Sequence, residues 1–262
     1  MSMLYSADAG GDVMELSGDE PVQLPGGFVN GVVRVGDTVR RSASPSGGFV
    51  QDLLRYLERC QWSGAPRHLG LDDRGREILT FLDGHVAWEG TQPAEVRSDE
   101  SLAAVTGLVR QFHDLTAGSD LAGDQEVVCH NDLSPKNTVY RDLGCGLRPV
   151  AFIDWDLAAP GARVHDVAHV CWQYVGLGPG ADVTETARLV RLIADTYDLP
   201  ARSELVRTIL WWQDRCWKGI SAAADAGEPA MVRLRALGAV DGVREAHRWT
   251  AEHRRVLEQA LL

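Results

Sequence analysis

Three side chains in the middle of this chain have the types and spacing to do chemistry. In HNDLSPKN, His130 to Asn137, an acid, Asp132, stands five residues before an amide, Asn137, and Pro135 stiffens the turn between them. A second acid, Asp154, follows the apolar run VAFI. An amide oxygen and a carboxylate side by side are hard ligands. They suit Mg2+, which favours one or two carboxylates together with substrate phosphates. If Asn137 and Asp154 supply that pair, Asp132 is free to act as a base on an attacking hydroxyl.

Two apolar anchors must hold this loop. Val127, Val128 and Cys129 precede it and read as a buried strand, and Thr138, Val139 and Tyr140 follow it as another. Arg141 to Pro149 carries Gly144, Gly146 and a closing proline, which are turn signals. Val150 to Ile153 is then a short strand. In simple antiparallel register Thr138 faces Ile153, and Asn137 and Asp154 become neighbours at the open end of the hairpin.

HNDLSPKN resembles the catalytic loop of protein kinases, with the same Asp-to-Asn spacing, and IDWD, Ile153 to Asp156, resembles their metal-binding element. The Ile-Asp-Trp form and GARVHDVAHV, Gly161 to Val170, are closer to the aminoglycoside phosphotransferase family of small-molecule kinases. The resemblance runs from about Pro25 to the last helix. It implies an α+β, two-lobed, protein-kinase-like fold. A small antiparallel-sheet lobe (24–83) follows an acidic, mobile segment (1–23) and precedes a larger, mainly helical lobe (84–262). It implies ATP or GTP as phosphate donor, Mg2+ at Asn137 and Asp154, and Asp132 as the catalytic base. His130 and Asp166 would support the loop, His130 through a backbone or Asp154 contact. The acceptor would be a hydroxyl of a small molecule, most simply an aminoglycoside-type or other hydroxylated antibiotic. A metabolite kinase acting on an amino alcohol or sugar, a non-catalytic nucleotide-binding module and a metallohydrolase are the alternatives. The last needs more histidine ligands than the neighbourhood of His130 offers.

In the first lobe, Gly26, Gly27 and Gly31 allow close backbone approach to a phosphate, or simply permit a turn. With Asn30 they mark the nucleotide-binding end. Val32 to Val35 and Thr38 to Arg41 read as strands around a Gly36-Asp37 turn. Kinases place a lysine on the second of these strands, but the first lysine here is Lys136. Arg40 or Arg41 must take its place. Alternation sends them to opposite faces, and the resemblance favours Arg40. Ser46 to Cys60 is a helix with Phe49, Val50, Leu53, Leu54 and Leu57 on its apolar face. Gln51, Asp52 and Glu58 are its candidates for the partner of the strand cation. Arg76 to Gly84 reads as a strand whose end, Thr80, Phe81 and Leu82 to Asp83, would be the hinge that reads the nucleotide base through backbone amides.

Asp99 to Leu115 is a helix with Leu102, Val105, Val109 and Phe112 at helical spacing and His113 as a capping or packing residue. Helices are also expected at Val164 to Val175, Val183 to Tyr197, Ser203 to Asp225 and Pro229 to Leu261, the last broken near Gly238 or Gly242. His165 and His169 stand four apart, as metal ligands sometimes do, but with packing as their simpler role. Asp156, Asp214 and Trp211 are candidate acceptor contacts. The tryptophans of that helix otherwise read as core.

The net charge of -11 argues against nucleic-acid binding. Part of it lies in an N-terminal stretch with Asp8, Asp12, Glu15, Asp19 and Glu20 and no basic residue, while the charges beyond Leu157 balance. No apolar run reaches membrane-spanning length, and the N-terminus lacks the basic start and apolar stretch of a signal peptide. The five cysteines are scattered without metal-site spacing, so reduced thiols and a cytoplasmic protein are expected.

Overall fold

Short β-branched runs punctuated by glycine and aspartate build the first layer of the structure, a computed structural model that describes residues 21–24, 31–42, 47–88 and 91–262. β1 (Val22–Gln23), β2 (Val33–Val35), β3 (Thr38–Arg41), β4 (His68–Leu71) and β5 (Glu77–Thr80) form one antiparallel sheet in the order β1-β2-β3-β5-β4. Between β3 and β4 runs α1 (Gly47–Arg59), whose Val50, Leu53, Leu54 and Leu57 are buried as their spacing requires. Val22 and Gln23 lie in the segment expected to be a solvated tail, yet they pair with Arg34 and Val33. Gly26, Gly27 and Asn30 fall outside the described residues, as does the chain before Pro21.

The second lobe is mainly helical. It opens with β6 (His85–Val86) and α2 (Asp99–Thr116), whose N-cap Ser98 accepts a hydrogen bond from the Ser101 amide. β7 (Val127–Cys129), β8 (Thr138–Asp142), β9 (Leu147–Phe152) and β10 (Ala159–Gly161) follow, with sheets β6-β8-β9 and β10-β7. The rest is helical: α3 (Val164–Val175), α4 (Val183–Tyr197), α5 (Arg202–Asp225), α6 (Pro229–Ala236), α7 (Ala239–Glu252) and α8 (Arg254–Ala260). The long final helix of the sequence reading breaks at Gly238, where φ is 82°, and again at His253. The left-handed backbone at Gly238 is one that glycine adopts without steric cost.

The two lobes share a core. Leu53, Leu54 and Leu57 of α1 belong to the same buried cluster as Phe112 of α2 and Trp155. Tyr56 Oη donates to the Leu115 carbonyl at 2.7 Å, and the Phe152 amide donates to Gly64 O at 2.8 Å. This seam fixes the sheet of the first lobe over the β8–β9 hairpin of the second.

That hairpin departs from simple register. Thr138 pairs with Phe152, not Ile153, and a bulge falls between Val139 and Tyr140. Tyr140 lies opposite Pro149, which has no N–H to offer the ladder, and bulges gather at such positions. In consequence the Ile153 amide donates to the Asn137 carbonyl at 2.9 Å, and Asp154 is the next residue along.

Candidate active site

The loop between β7 and β8 is held in place by a hydrogen-bond network. Asn137 Nδ2 donates to both the backbone carbonyl and the Oδ2 of Asp132, each at 2.8 Å. The amide is thereby turned so that its oxygen, Oδ1, is the atom left for a ligand. The Asp132 amide lies 3.3 Å from His130 Nδ1, and His130 Nε2 lies 3.1 Å from the Ile153 carbonyl. His130 thus ties the loop to the residue before Asp154 through the backbone, and its ring packs at a tilt against Trp155, 4.5 Å between ring centroids. Asn131 and Asp154 both have φ of 63°, a left-handed conformation that Asn and Asp tolerate better than other side-chain-bearing residues. Such backbone at a loop carrying ionisable groups is typical of functional sites.

Asp166 braces the loop from below. Its two oxygens accept from the amides of His130 at 2.7 Å and Asn131 at 2.9 Å, and His113 Nε2 lies 3.0 Å from Oδ2. Complete burial alone would raise this carboxyl. The hydrogen bond and charge of His113, with those of His130, override it and hold the group at about 2. His113, expected as a capping or packing residue, is fully buried, with Nδ1 2.6 Å from Tyr197 Oη, which Arg163 also contacts at 3.1 Å. The only local hint was a His-Asp pair at the end of α2; its partners on α3 and α4 are far away in sequence. Cys129 lies beside His113 and Asp166. Burial, then the Asp166 charge, push its thiol well up, and its Sγ donates to the Ala162 carbonyl at 3.3 Å. With Asp166 committed to two amides, this group is a brace rather than a metal centre.

Asp166→Asn is therefore expected to destabilise the protein by about 3 kcal/mol at pH 7, because it strips charge and an acceptor from a buried network. The folded carboxyl lies below its unfolded value of about 3.9. Its stabilisation is thus present above pH ~4 and is lost as pH falls through about 2. Urea unfolding should show the gap between variant and wild type narrowing across that window. Equal stability at pH 7 would rule out the brace.

Opposite the loop, Arg41 of β3 reaches in. Arg41 Nη2 lies 2.6 Å from Asp156 Oδ1, and Nη1 lies 3.7 Å from Asp154 Oδ1. Its Nε bonds Glu77 Oε2 at 3.0 Å. Arg41 and Glu77 are directly opposite each other in the β3–β5 ladder, so their side chains share a face. The resemblance favoured Arg40, but Arg40 bonds Thr38 Oγ1 on the other side of the strand. The acid beside the strand cation comes from β5, not from α1. Of the α1 candidates, Gln51 bonds Glu77 Oε1 at 3.2 Å, while Asp52 pairs with Arg55 and Glu58 with Arg67.

The carboxylates feel one another. Burial raises the Asp132 carboxyl above its ordinary range, and the charge of Asp154 adds to this; Lys136, His130 and the Asn137 hydrogen bond act the other way. Burial also raises Asp156, opposed by Arg41 and reinforced by Asp154 and Glu77. Asp132, Asn137 and Asp154 thus share one electrostatic neighbourhood. The free Asn137 oxygen and the half-exposed Asp154 carboxylate are hard oxygen donors that fit Mg2+.

Other expected residues lie differently. The Thr80 amide is committed to Arg67 O at 3.0 Å and the Phe81 amide to Asp37 O at 2.8 Å, so Leu82 is the first hinge residue whose amide neither contact engages. Gly84 then passes so close to Tyr140 O that a Cβ would lie 2.6 Å from it. Asp156 pairs with Arg41 rather than facing the α5 side, and Asp214 is tied to Lys218 at 2.7 Å. Trp211 is 46% exposed and packs with Trp212 and His165, and His169 packs on Trp212 at 4.4 Å between centroids. The histidine pair therefore belongs to an aromatic cluster. Cys216, one turn along α5, is close enough to the loop that the Asp132 charge, after burial, helps push its thiol up to about 11.

Comparison with known proteins shows the family and the fold of the chain. A family model described as the phosphotransferase enzyme family, APH, matches residues 34–205. The trifolitoxin immunity protein of Rhizobium leguminosarum bv. trifolii is 30% identical over 277 aligned residues, covering 93% of this chain and 99% of that protein. Among solved structures, aminoglycoside phosphotransferase APH(3'')-Id from Streptomyces rimosus, in complex with ADP and streptomycin, superposes with a TM-score of 0.56 at 14% identity, over 73% of this chain and 91% of its own. An ethanolamine kinase from Plasmodium vivax gives a TM-score of 0.54 at 13% identity, over 93% of this chain and 81% of its own. The solved structures share the protein-kinase-like fold, and the match across residues 34–205 shows that this chain belongs to the phosphotransferase enzyme family.

Proposed function

We propose that this phosphotransferase moves the γ-phosphate of ATP or GTP to a hydroxyl of a small, toxic compound such as a hydroxylated antibiotic. The observation that supports the reading is that Asn137 bonds both Asp132 and the amide of Ile153, the residue before Asp154, and that the Asp154 charge acts on Asp132. Mg2+ held by Asn137 and Asp154 would neutralise charge on the phosphate oxygens. Asp132 orients the acceptor hydroxyl through the oxygen that Asn137 leaves free and takes its proton as the new P–O bond forms and the bond from the γ-phosphorus to the β,γ-bridging oxygen breaks, releasing the nucleoside diphosphate. Arg41 offers a guanidinium fork to the phosphates, a group well matched to bidentate phosphate recognition. His130 and Asp166 keep the loop in register, since catalysis of phosphoryl transfer is mostly positioning and charge neutralisation.

Nucleotide complexes of fold relatives, one with ADP and one with GDP, support a nucleotide donor. The relative named for immunity to trifolitoxin supports a toxic compound as acceptor. The likeness to an ethanolamine kinase keeps a metabolite acceptor as the second reading. The test is incubation with Mg2+, ATP or GTP and a panel of antibiotics and amino alcohols, read by mass spectrometry. The expected result is a gain of one phosphate on a hydroxylated antibiotic. A gain confined to amino alcohols would favour the second reading, and nucleotide binding without any transfer would leave a binding module.

A further inference from the structure

We propose that the acceptor is a flat aromatic alcohol without clustered amino groups, and that Trp211 of α5 is the surface on which its ring packs. This inference rests on the phosphotransferase reading of the site and names the class of its acceptor.

A line of contacts leads from the catalytic loop to α5. Asn131, beside Asp132, donates through Nδ2 to the Leu157 carbonyl at 3.0 Å. Leu157 lies in the turn before β10, and a Cβ added to the last residue of β10, Gly161, would stand 3.9 Å from His165 Cδ2. The His165 ring packs against Trp211 and Trp212, with centroids 5.4 and 5.7 Å away. Four residues on from Trp212, and therefore on the same helix face, Cys216 is close enough to the loop to feel the charges of Asp132 and Lys136. Leu157 is 59% exposed and Trp211 46% exposed, so two large apolar side chains stand open along this line. Exposed apolar groups gathered beside polar ones mark ligand sites, and an indole offers a broad flat surface to an aromatic ring.

Charge on this side selects against a polycation. Arg215 lies over the Trp211 ring, its Cζ 5.4 Å from the centroid, and Lys136 flanks the base. Among the described residues, no ion pair engages either cation. The acid between Trp211 and Arg215 on α5, Asp214, is already paired with Lys218 at 2.7 Å. Clustered ammonium groups would meet like charges here, and such juxtaposition costs affinity. An uncharged aromatic body meets no such cost.

The atoms beneath Trp211 point to a ligand independently. His169 is 5% exposed, yet neither of its ring nitrogens has a hydrogen-bond partner among the described residues, and the same holds for His165 Nδ1 and Trp212 Nε1. Buried polar atoms are normally satisfied, and these four belong to one aromatic cluster, in which the His169 and Trp212 centroids are 4.4 Å apart. Burial lowers His169 to about 4 against the opposing charge of Asp166, so its ring is neutral and offers one donor and one acceptor. Uncharged oxygens on the rim of an aromatic ligand inserted beside Trp211 can pair with these groups; further ammonium groups would find only half of them useful.

The test incubates the protein with Mg2+, ATP or GTP and, in separate reactions, a library of aromatic alcohols that includes chloramphenicol and novobiocin, the polycation kanamycin, and ethanolamine. Mass spectrometry reads the gain of phosphate. Transfer is expected to an aromatic alcohol and not to kanamycin or ethanolamine. Trp211→Ala should raise KM for that alcohol about tenfold, the loss of one aromatic packing partner, with kcat and the affinity for ADP in Mn2+ near their wild-type values. Trp211→Phe, which keeps a ring, should recover most of the loss. A role in packing alone would lower the melting temperature of Trp211→Ala without singling out KM. Kanamycin or ethanolamine as the better acceptor, no transfer to any aromatic alcohol, or an unchanged KM in Trp211→Ala overturns the aromatic acceptor. If ADP still binds in Mn2+ and phosphate reaches another compound, the phosphotransferase reading survives that outcome; wild-type protein that binds no ADP overturns both.

Discussion

Replacing Asp132 with alanine lowers turnover on the order of 10²- to 10⁴-fold, the range that a positioned proton acceptor contributes, while nucleotide still binds. The two halves of this expectation come from different contacts. Turnover falls because the carboxylate that would face the acceptor hydroxyl is gone. Nucleotide binding persists because Arg41 and Asp154 are untouched, and because Asn137 Nδ2 also donates to the Asp132 backbone carbonyl at 2.8 Å, a bond the substitution keeps. A pH profile adds a second signature. Burial raises the Asp132 carboxyl, so the deprotonated base should be lost on acidification at a higher pH than the ~3.9 of an ordinary aspartate. That acid limb should disappear from the residual rate of the variant. Turnover near the wild-type value would remove Asp132 from the chemistry.

Asp154→Ala should abolish the Mg2+ dependence of nucleotide binding. The loss should exceed the ~10- to 100-fold that accompanies removal of an outer partner of a metal ligand, since a ligand itself is taken away. Asn137 offers a neutral oxygen, and Asp156 is turned toward Arg41 at 2.6 Å, so neither replaces the missing carboxylate. Titration of nucleotide with and without Mg2+ measures the effect. The two curves should coincide in the variant and differ widely in the wild type. A variant that responds to Mg2+ as the wild type does places the metal elsewhere.

How much of this was legible in the sequence depends on the reach of each contact. The spacing of Asp132 and Asn137 is local, and their 2.8 Å hydrogen bond lies within a single short loop. The helices 164–175 and 183–197 were also legible, because their apolar periodicity is strong and each is bounded by clear breakers. The β8–β9 register was missed by one residue, because a bulge beside Pro149 is decided by hydrogen bonds that periodicity does not record. Alternation separated Arg40 from Arg41 but not which face of β3 looks into the cleft. That depends on β5, whose Glu77 is opposite Arg41 across 36 residues of chain. A search for acids in register on the neighbouring strand, rather than on the helix, would have found it. The His113–Asp166 contact joins α2 to α3 over 53 residues, and nothing in either segment alone announces it. The glycine-rich stretch at Gly26, Gly27 and Asn30 lies outside the described residues.

Phosphoryl transfer at this site requires Asn137 and Asp154 to share a divalent ion in front of Asp132. A crystal structure with Mg2+ and a non-hydrolysable nucleotide tests this most directly. The expected result is a metal ~2.0–2.1 Å from both Asn137 Oδ1 and an Asp154 oxygen, with the terminal phosphate turned toward Asp132. A metal bound without either residue, or a terminal phosphate facing away from Asp132, would contradict it.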